Sequence, residues 1–437
     1  MRPLASVAPH WLRIRTELAP SLFEAASIQA VVAAAASQLL ILAGYVVAGH
    51  ALGVRSFGEL NILSASVNML GTFAGLGLGL TATRFVAALR VSDPIQTGEI
   101  IGACQLLSIL SSGAVALCLA LGSEYFAGRV LSAPGLSIPL RISSLLLLTS
   151  TLGGVQIGIV NGLERFSTLA FLHMAKGLLT FVALWAGSTL AGLNGVLWGL
   201  VAAGLAHSAL LHWKIRSLAA HAGLRIRIGV SLKVYAVFSR FALPTLLSSL
   251  LLSPVTWLTN VLLASQPGGY RELGIFGAAF QWRQALLFLP SQFSQITIPR
   301  LTSLHVSGGG SSFRQLLRWT VVGIALLAIG FGVPVALFSG PIMGLYGEDF
   351  SGGALVLVAL VVATALNLVS NVLGQALVAA GRMWLGFGLN LVWAAALVLL
   401  TVLLLPRSGS IGLAVAYCGA YAVHLGLSAI VARRISA

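Results

Sequence analysis

Acidic residues are scarce here. Ten Asp and Glu stand against 25 Lys and Arg in 437 residues, and none of the ten lies in the interior of a long apolar run. Two cations, Lys176 and Arg283, do fall inside such runs and have no acidic partner in the same segment. Cysteine is also rare. Cys104, Cys118 and Cys418 sit in apolar stretches without paired spacing, so the pattern excludes a disulfide framework or a thiolate metal cluster and reads as small buried hydrophobes. No Gly-rich loop ends in Lys-Ser/Thr, which excludes a built-in P-loop ATPase, and no His-Glu-x-x-His zinc motif occurs. Adjacent carboxylates are limited to Glu348-Asp349, which follow Gly347 and read as a solvated turn. No catalytic residue, metal or cofactor is nominated.

Apolar sequence is what the chain has in excess: 58% apolar, 8% charged, with mean hydropathy +0.99. A spanning helix needs about 20 mostly apolar residues. Twelve such spans are expected, at 27–49, 60–83, 99–121, 142–161, 167–190, 193–213, 236–264, 273–303, 319–340, 353–379, 384–405 and 410–431. The apolar runs are continuous rather than alternating, which excludes a membrane barrel. The expected class is an all-α polytopic membrane protein.

The net charge of +15 is sorted by loop: 18 basic residues fall on the side carrying both termini and five on the other. By the positive-inside rule both termini are expected in the cytoplasm. The charge is topological, and nucleic acid is not an expected partner. Residues 1–26 are expected to include an amphipathic helix lying on the inner surface, 27–213 to form one six-helix lobe, 214–235 a basic cytoplasmic connection and 236–437 a second lobe.

The two lobes resemble each other. Phe57-Gly58-Glu59-Leu60 aligns with Tyr270-Arg271-Glu272-Leu273, Gln156 and Gly162 with Gln375 and Gly381, and Gly195 and His207 with Gly412 and His424. A six-span repeat keeps its orientation, so the lobes would be related by an axis along the membrane normal and could rock about a central cavity.

Arg283 lies ten residues into the eighth span and Lys176 nine into the fifth. At about 1.5 Å per residue both sit near the middle of the bilayer. A cation at that depth is costly and normally faces protein interior or a water-filled cavity. If both point inward, they bracket that cavity as a site for an anion such as a diphosphate, Arg as a bidentate fork and Lys as a point charge; pairing with helix carbonyls or snorkelling is the alternative. Around Arg283 the span is rich in polar groups. Gln281, Gln284, Gln292 and Gln295 share an arc of about 80°, and with Trp282, Trp257 and Asn260 they suit sugars; interhelical hydrogen bonding is the plainer reading of each. Arg84, Arg240 and Arg300, near inner span ends, form a candidate basic vestibule or serve topology alone. His173, His207 and His424 are candidate proton relays or packed histidines.

The stretch Leu243 to Pro299 carries Pro254-x-x-Trp257-x-x-Asn260, Gly274-Ile275-Phe276, Ala279-Phe280-Gln281-Trp282-Arg283 and Phe288-Leu289-Pro290. It resembles the oligosaccharide flippases that move O-antigen and related polysaccharide units, within the superfamily of multidrug, oligosaccharidyl-lipid and polysaccharide exporters. The resemblance implies two six-helix lobes in a V and transport of an undecaprenyl-diphosphate-linked oligosaccharide across the bacterial inner membrane. It also implies partners limited to that substrate, the bilayer and other polysaccharide-assembly membrane proteins. Drug exporters of the superfamily often couple to a cation through a membrane carboxylate, and none is present here. A cation-coupled drug exporter, or a membrane polymerase or acyltransferase, are the competing readings.

Overall fold

The structure, a computed structural model, describes residues 10–227, 229, 251–306, 310–379 and 382–436. The side chains of 10–27, 289, 291–306, 310, 311, 378, 379, 383 and 433–436 are outside that description. The described residues are helical in long runs, and seven of the helices are long and apolar enough to cross a membrane.

Three helices are double spans joined at a sharp turn. His10–Gly75 breaks its helical geometry at Gly53, Phe166–His221 at Ala191 and Gly192, and Met383–Ser436 at Gly409. Each break falls between two spans expected from hydropathy. The remaining described helices are Leu78–Leu89, Pro94–Leu121, Ser137–Gly162, Leu252–Ala264, Gly269–Val306, Gly310–Leu337 and Ala354–Ala379. Counting both arms of each broken helix, the described helices fit about twelve spans in two lobes. On the side opposite the termini, every connection turns through a residue with positive φ: Gly53, Ser132, Gly192, Gly268, Gly347 and Gly409. Glycine supplies five of the six because that region of φ costs it little. Residues 10–26 are helical, but they continue directly into the first span without a break.

The second span is discontinuous. It stops at Gly75, passes Leu76 and Gly77 with φ of 47° and 66°, and resumes as Leu78–Leu89. One carbonyl near the break, that of Ala74, accepts from Ser111 Oγ of the third span at 2.6 Å. A broken membrane helix is tolerated where neighbours take up its backbone groups in this way. The glycines beyond the break serve close packing. A Cβ on Gly158 of the fourth span would run into the carbonyl of Gly79, and one on Gly79 would lie 3.2 Å from the carbonyl of Gly154.

The lobes meet along the repeated segments themselves. A Cβ on Gly58 would strike the carbonyl of Tyr270, one on Gly274 the carbonyl of Val54, and one on Gly277 the amide of Asn61. Phe57 stands edge-on to Tyr346 and Phe350, with ring centroids 5.7 and 5.8 Å away. Trp257 Nε1 donates to Ser66 Oγ at 2.9 Å, and Thr72 Oγ1 donates to Ser253 Oγ at 3.0 Å. These contacts seal the lobes together toward the Gly53 side. The outer surface of the bundle is apolar, as for Leu117, Leu326 and Leu399, each about 60% exposed, which is the finish a lipid environment demands.

Candidate functional site

Arg283 sits in the 38-residue helix Gly269–Val306, about 21 Å from its start at 1.5 Å per residue. It is 5% exposed. Its Nη2 donates to the Tyr421 hydroxyl at 2.9 Å, and its guanidinium carbon lies 5.0 Å from the Phe280 ring centroid and 5.6 Å from those of Tyr417 and Tyr421. Phe280 is nearly one turn before Arg283, and Tyr417 and Tyr421 are one turn apart on the last span, so three ring faces converge on one cation. Each such face contributes on the order of 0.5–2 kcal/mol, more when water is excluded. Among the described residues no carboxylate joins the cage, and Nε is buried without a partner. In this conformation Arg283 is buried, so the chamber expected between it and Lys176 is not open at Arg283. The guanidinium is held inside the second lobe with spare hydrogen-bonding capacity.

Lys176 lies in the opposite setting. It is exposed, although it sits about 15 Å into its span, and it forms no ion pair among the described residues. The next residue, Gly177, is pressed against the first span, where an added Cβ would lie 2.7 Å from Ser37. His173 is one turn away on the same face. His207 of the sixth span is 7% exposed, and its Nε2 lies 3.2 Å from the Leu172 carbonyl. Lys176 and His173 both act electrostatically on His207. The structure thus gathers three basic side chains of the first lobe into one neighbourhood, where sequence spacing joins only His173 to Lys176. His424, the repeat partner of His207, is half-buried with Nδ1 unpartnered.

The expected sugar-facing groups divide. Gln284 is exposed and Gln281 half-buried. Asn260 keeps a buried, unpartnered Oδ1. Trp282 is half-buried and packs against the main core. Trp257 has another occupation: its N–H is committed to Ser66, and its ring lies 6.0 Å from that of Phe126, so in this conformation it ties the lobes together rather than lining an open face. Arg240 lies outside the described residues, as do the side chains of Gln292, Gln295 and Arg300. Arg84 is exposed, with its guanidinium 5.8 Å from the Phe85 ring centroid.

One polar feature was missed. Asn367, Asn371 and Gln375 follow one another at i, i+4 and i+8 along Ala354–Ala379, an otherwise apolar helix without charge. They line a cavity of about 290 Å³ with Leu287 and Pro290 of the eighth span. Asn371 Nδ2 donates to Asn367 Oδ1 at 3.1 Å, while Gln375 Oε1 is buried without a partner. Arg283, Leu287 and Pro290 share one face of their helix, so the amide row follows directly after the aromatic cage. The signal was present in the sequence: three amides at helical spacing in a span of 26 residues.

Residues 26–305 match the family described as polysaccharide biosynthesis protein. The chain is 27% identical over 413 residues, 91% of each protein, to the EPS I polysaccharide export inner membrane protein EpsE of Ralstonia solanacearum. It is 32% identical over 186 residues, 41% of this chain and 42% of the relative, to the protein of the same name from Ralstonia nicotianae. Among solved structures it superposes on an inward-facing multidrug resistance MATE family transporter of the MOP superfamily, with TM-score 0.79 and 14% identity over 91% of this chain and 94% of the other. The lipid II flippase MurJ in an inward closed conformation gives TM-score 0.76 and 14% identity over 93% and 88%. On the fold that MATE transporters and MurJ share, this multi-pass membrane chain belongs to the polysaccharide biosynthesis protein family.

Proposed function

We propose that the chain is a flippase that carries an undecaprenyl-diphosphate-linked oligosaccharide from the cytoplasmic to the periplasmic leaflet of the bacterial inner membrane by alternating access, with both termini cytoplasmic. The observation that carries this reading is the pair of mid-membrane cations, one per lobe, without a carboxylate beside either among the described residues. An anion crossing the membrane needs such groups, and a cationic drug would be repelled by them. Lys176 is the accessible half of the diphosphate site. Arg283 is the half held in reserve, its Nε free to donate once the lobes move apart. Gln281, Gln284, Asn260 and the amide row from Asn367 to Gln375 receive the sugars, with Arg84, Arg240 and Arg300 drawing the headgroup in from the cytoplasmic side. The export function in the name of the R. solanacearum relative supports the polysaccharide class, and other membrane proteins of polysaccharide assembly are the expected partners. The same fold serves drug exporters, so a cation-coupled exporter is the second reading.

The test is flipping of a fluorescent undecaprenyl-diphosphate oligosaccharide in proteoliposomes, by wild type and by Arg283→Ala. Flipping by wild type alone upholds function and site together. Flipping by both keeps the function and removes Arg283 from the site. Proton- or sodium-driven efflux of a cationic dye, without flipping of the lipid, would move the assignment to the exporter.

A further inference from the structure

A second cavity, of about 480 Å³, lies in the first lobe where the third, fourth and sixth spans meet near their terminus-side ends. Its floor is the segment after the sixth span. Arg227 N donates to the Gly98 carbonyl at 3.3 Å, and the Arg225 carbonyl lies so close to Gly98 that a Cβ there would strike it. This brings Leu224 and Ile226 under the opening. The lining is graded. At the mouth are Arg216 and His212, one turn apart on the sixth span and both exposed. Deeper are Gln156, 2% exposed with Oε1 lacking a donor, and Gln105, whose buried Nε2 lacks an acceptor. Beyond them the walls are Leu106 and Leu152.

Buried polar atoms are nearly always paired, so two orphaned amides facing one cavity call for a ligand with both an acceptor and a donor. The mouth calls for negative charge and the walls for hydrocarbon. By helix rise, Arg216 lies about 8 Å from the end of its helix and Gln105 about 16 Å from the start of its own, which is the drop from headgroup to upper acyl chain. Free phosphate would leave the apolar walls empty, and an uncharged lipid would leave the mouth unanswered.

We propose that this cavity holds an anionic phosphoglyceride of the terminus-side leaflet: phosphate at Arg216 and His212, headgroup hydroxyl to Gln156, ester carbonyl to Gln105, and the first methylenes against Leu106 and Leu152. Among the described residues, Gln375, the repeat partner of Gln156, lines a cavity of about 290 Å³ without a cation. The site is independent of what the protein transports.

The test is native mass spectrometry of the purified full-length protein titrated with phosphatidylglycerol and phosphatidylcholine. Wild type and Lys214→Gln, a change on the same span outside the cavity, retain phosphatidylglycerol at least tenfold over phosphatidylcholine. Arg216→Gln with Gln156→Leu loses that preference, and Leu152→Trp, which fills the cavity, loses bound lipid of either kind. If the double variant is not monodisperse, the exposed single change Arg216→Gln carries the test. Unchanged preference in Arg216→Gln overturns the proposal. So does equal retention of the two lipids by wild type, or displacement of phosphatidylglycerol by equimolar undecaprenyl phosphate, which would make the cavity a substrate site.

Discussion

The two lobes repeat one scaffold but place their cations in opposite environments. Lys176 is exposed beside two histidines and against the first span, whereas Arg283 is closed within three aromatic rings. The shared part is geometric: turns through positive φ at equivalent connections on one side. The unshared parts are chemical. The repeat keeps the turns that reverse the chain and leaves each bundle free to change its interior. An exposed lysine suits an anion that arrives and leaves, since it is a mobile point charge on a long stem. A caged arginine is fixed in orientation, and any anion that reaches it meets a guanidinium already aligned.

The largest effect should come from the contact between the lobes. Gly274→Leu places a side chain where the Val54 carbonyl stands, in backbone that cannot yield cheaply. Overpacking of this kind costs about 1–3 kcal/mol or more, and here it also wedges the lobes apart. Flipping should be lost and the apparent Tm of the purified protein should fall. Gly113→Leu, at a position open within 4 Å, should leave both unchanged. A tolerated Gly274→Leu would mean that the lobes do not cross at this contact.

Exchanging the two cations sharpens the contrast next. Arg283→Lys should lower the flipping rate at least tenfold, because an ammonium lacks the planar fork that stacks on the rings while presenting aligned donors to an anion. Lys176→Arg should retain activity within about twofold, since no matched partner fixes the shape of an exposed cation. Equal sensitivity at both positions would show that the cage does not set the role of Arg283. Tyr421→Phe should fall between the two. It removes the one hydroxyl that accepts from Arg283 and leaves a buried donor unmet, a cost of about 1–3 kcal/mol, visible as a lower apparent Tm with a reduced flipping rate.

Much of the scaffold was legible in the sequence because hydropathy acts locally. Twenty apolar residues declare a span, and the turns at Gly53, Gly192 and Gly409 fall where adjacent runs were divided. The repeat was legible because matched residues recur at nearly one offset, Glu59 and Leu60 with Glu272 and Leu273, and Gly195 and His207 with Gly412 and His424. Surroundings were not legible. The tyrosine that accepts from Arg283 is 138 residues away, and the serine that takes the Trp257 N–H is 191 away in the opposite lobe. No periodicity within one helix reports such partners. Trp257 was expected to face sugar because tryptophan suits sugar, yet its N–H is already spent on holding the lobes together. The amides at Asn367, Asn371 and Gln375 stand at helical spacing in the sequence, but only the fold shows that they line one cavity beside the eighth span.

The smallest predicted effect concerns one residue that both lobes keep. Glu59 and Glu272 are equivalent in the repeat. Glu59 lies 3.7 Å from Arg55 one turn earlier, a pair whose arginine side chain is 80% exposed. Glu272 Oε2 instead accepts from both N and Oγ of Ser410, the first residue after the Gly409 turn, so it caps the start of the last span from another helix. Surface ion pairs contribute about 0–1 kcal/mol, and loss of a helix cap costs about 0.5–2 kcal/mol. Glu272→Gln should therefore lower the apparent Tm by more than Glu59→Gln does, with flipping nearly unaffected in both. Added salt should abolish the small effect at Glu59 and spare that at Glu272, because screening weakens an exposed pair far more than a half-buried cap. Equal shifts with equal salt dependence would mean that the two glutamates kept the same task after the halves diverged.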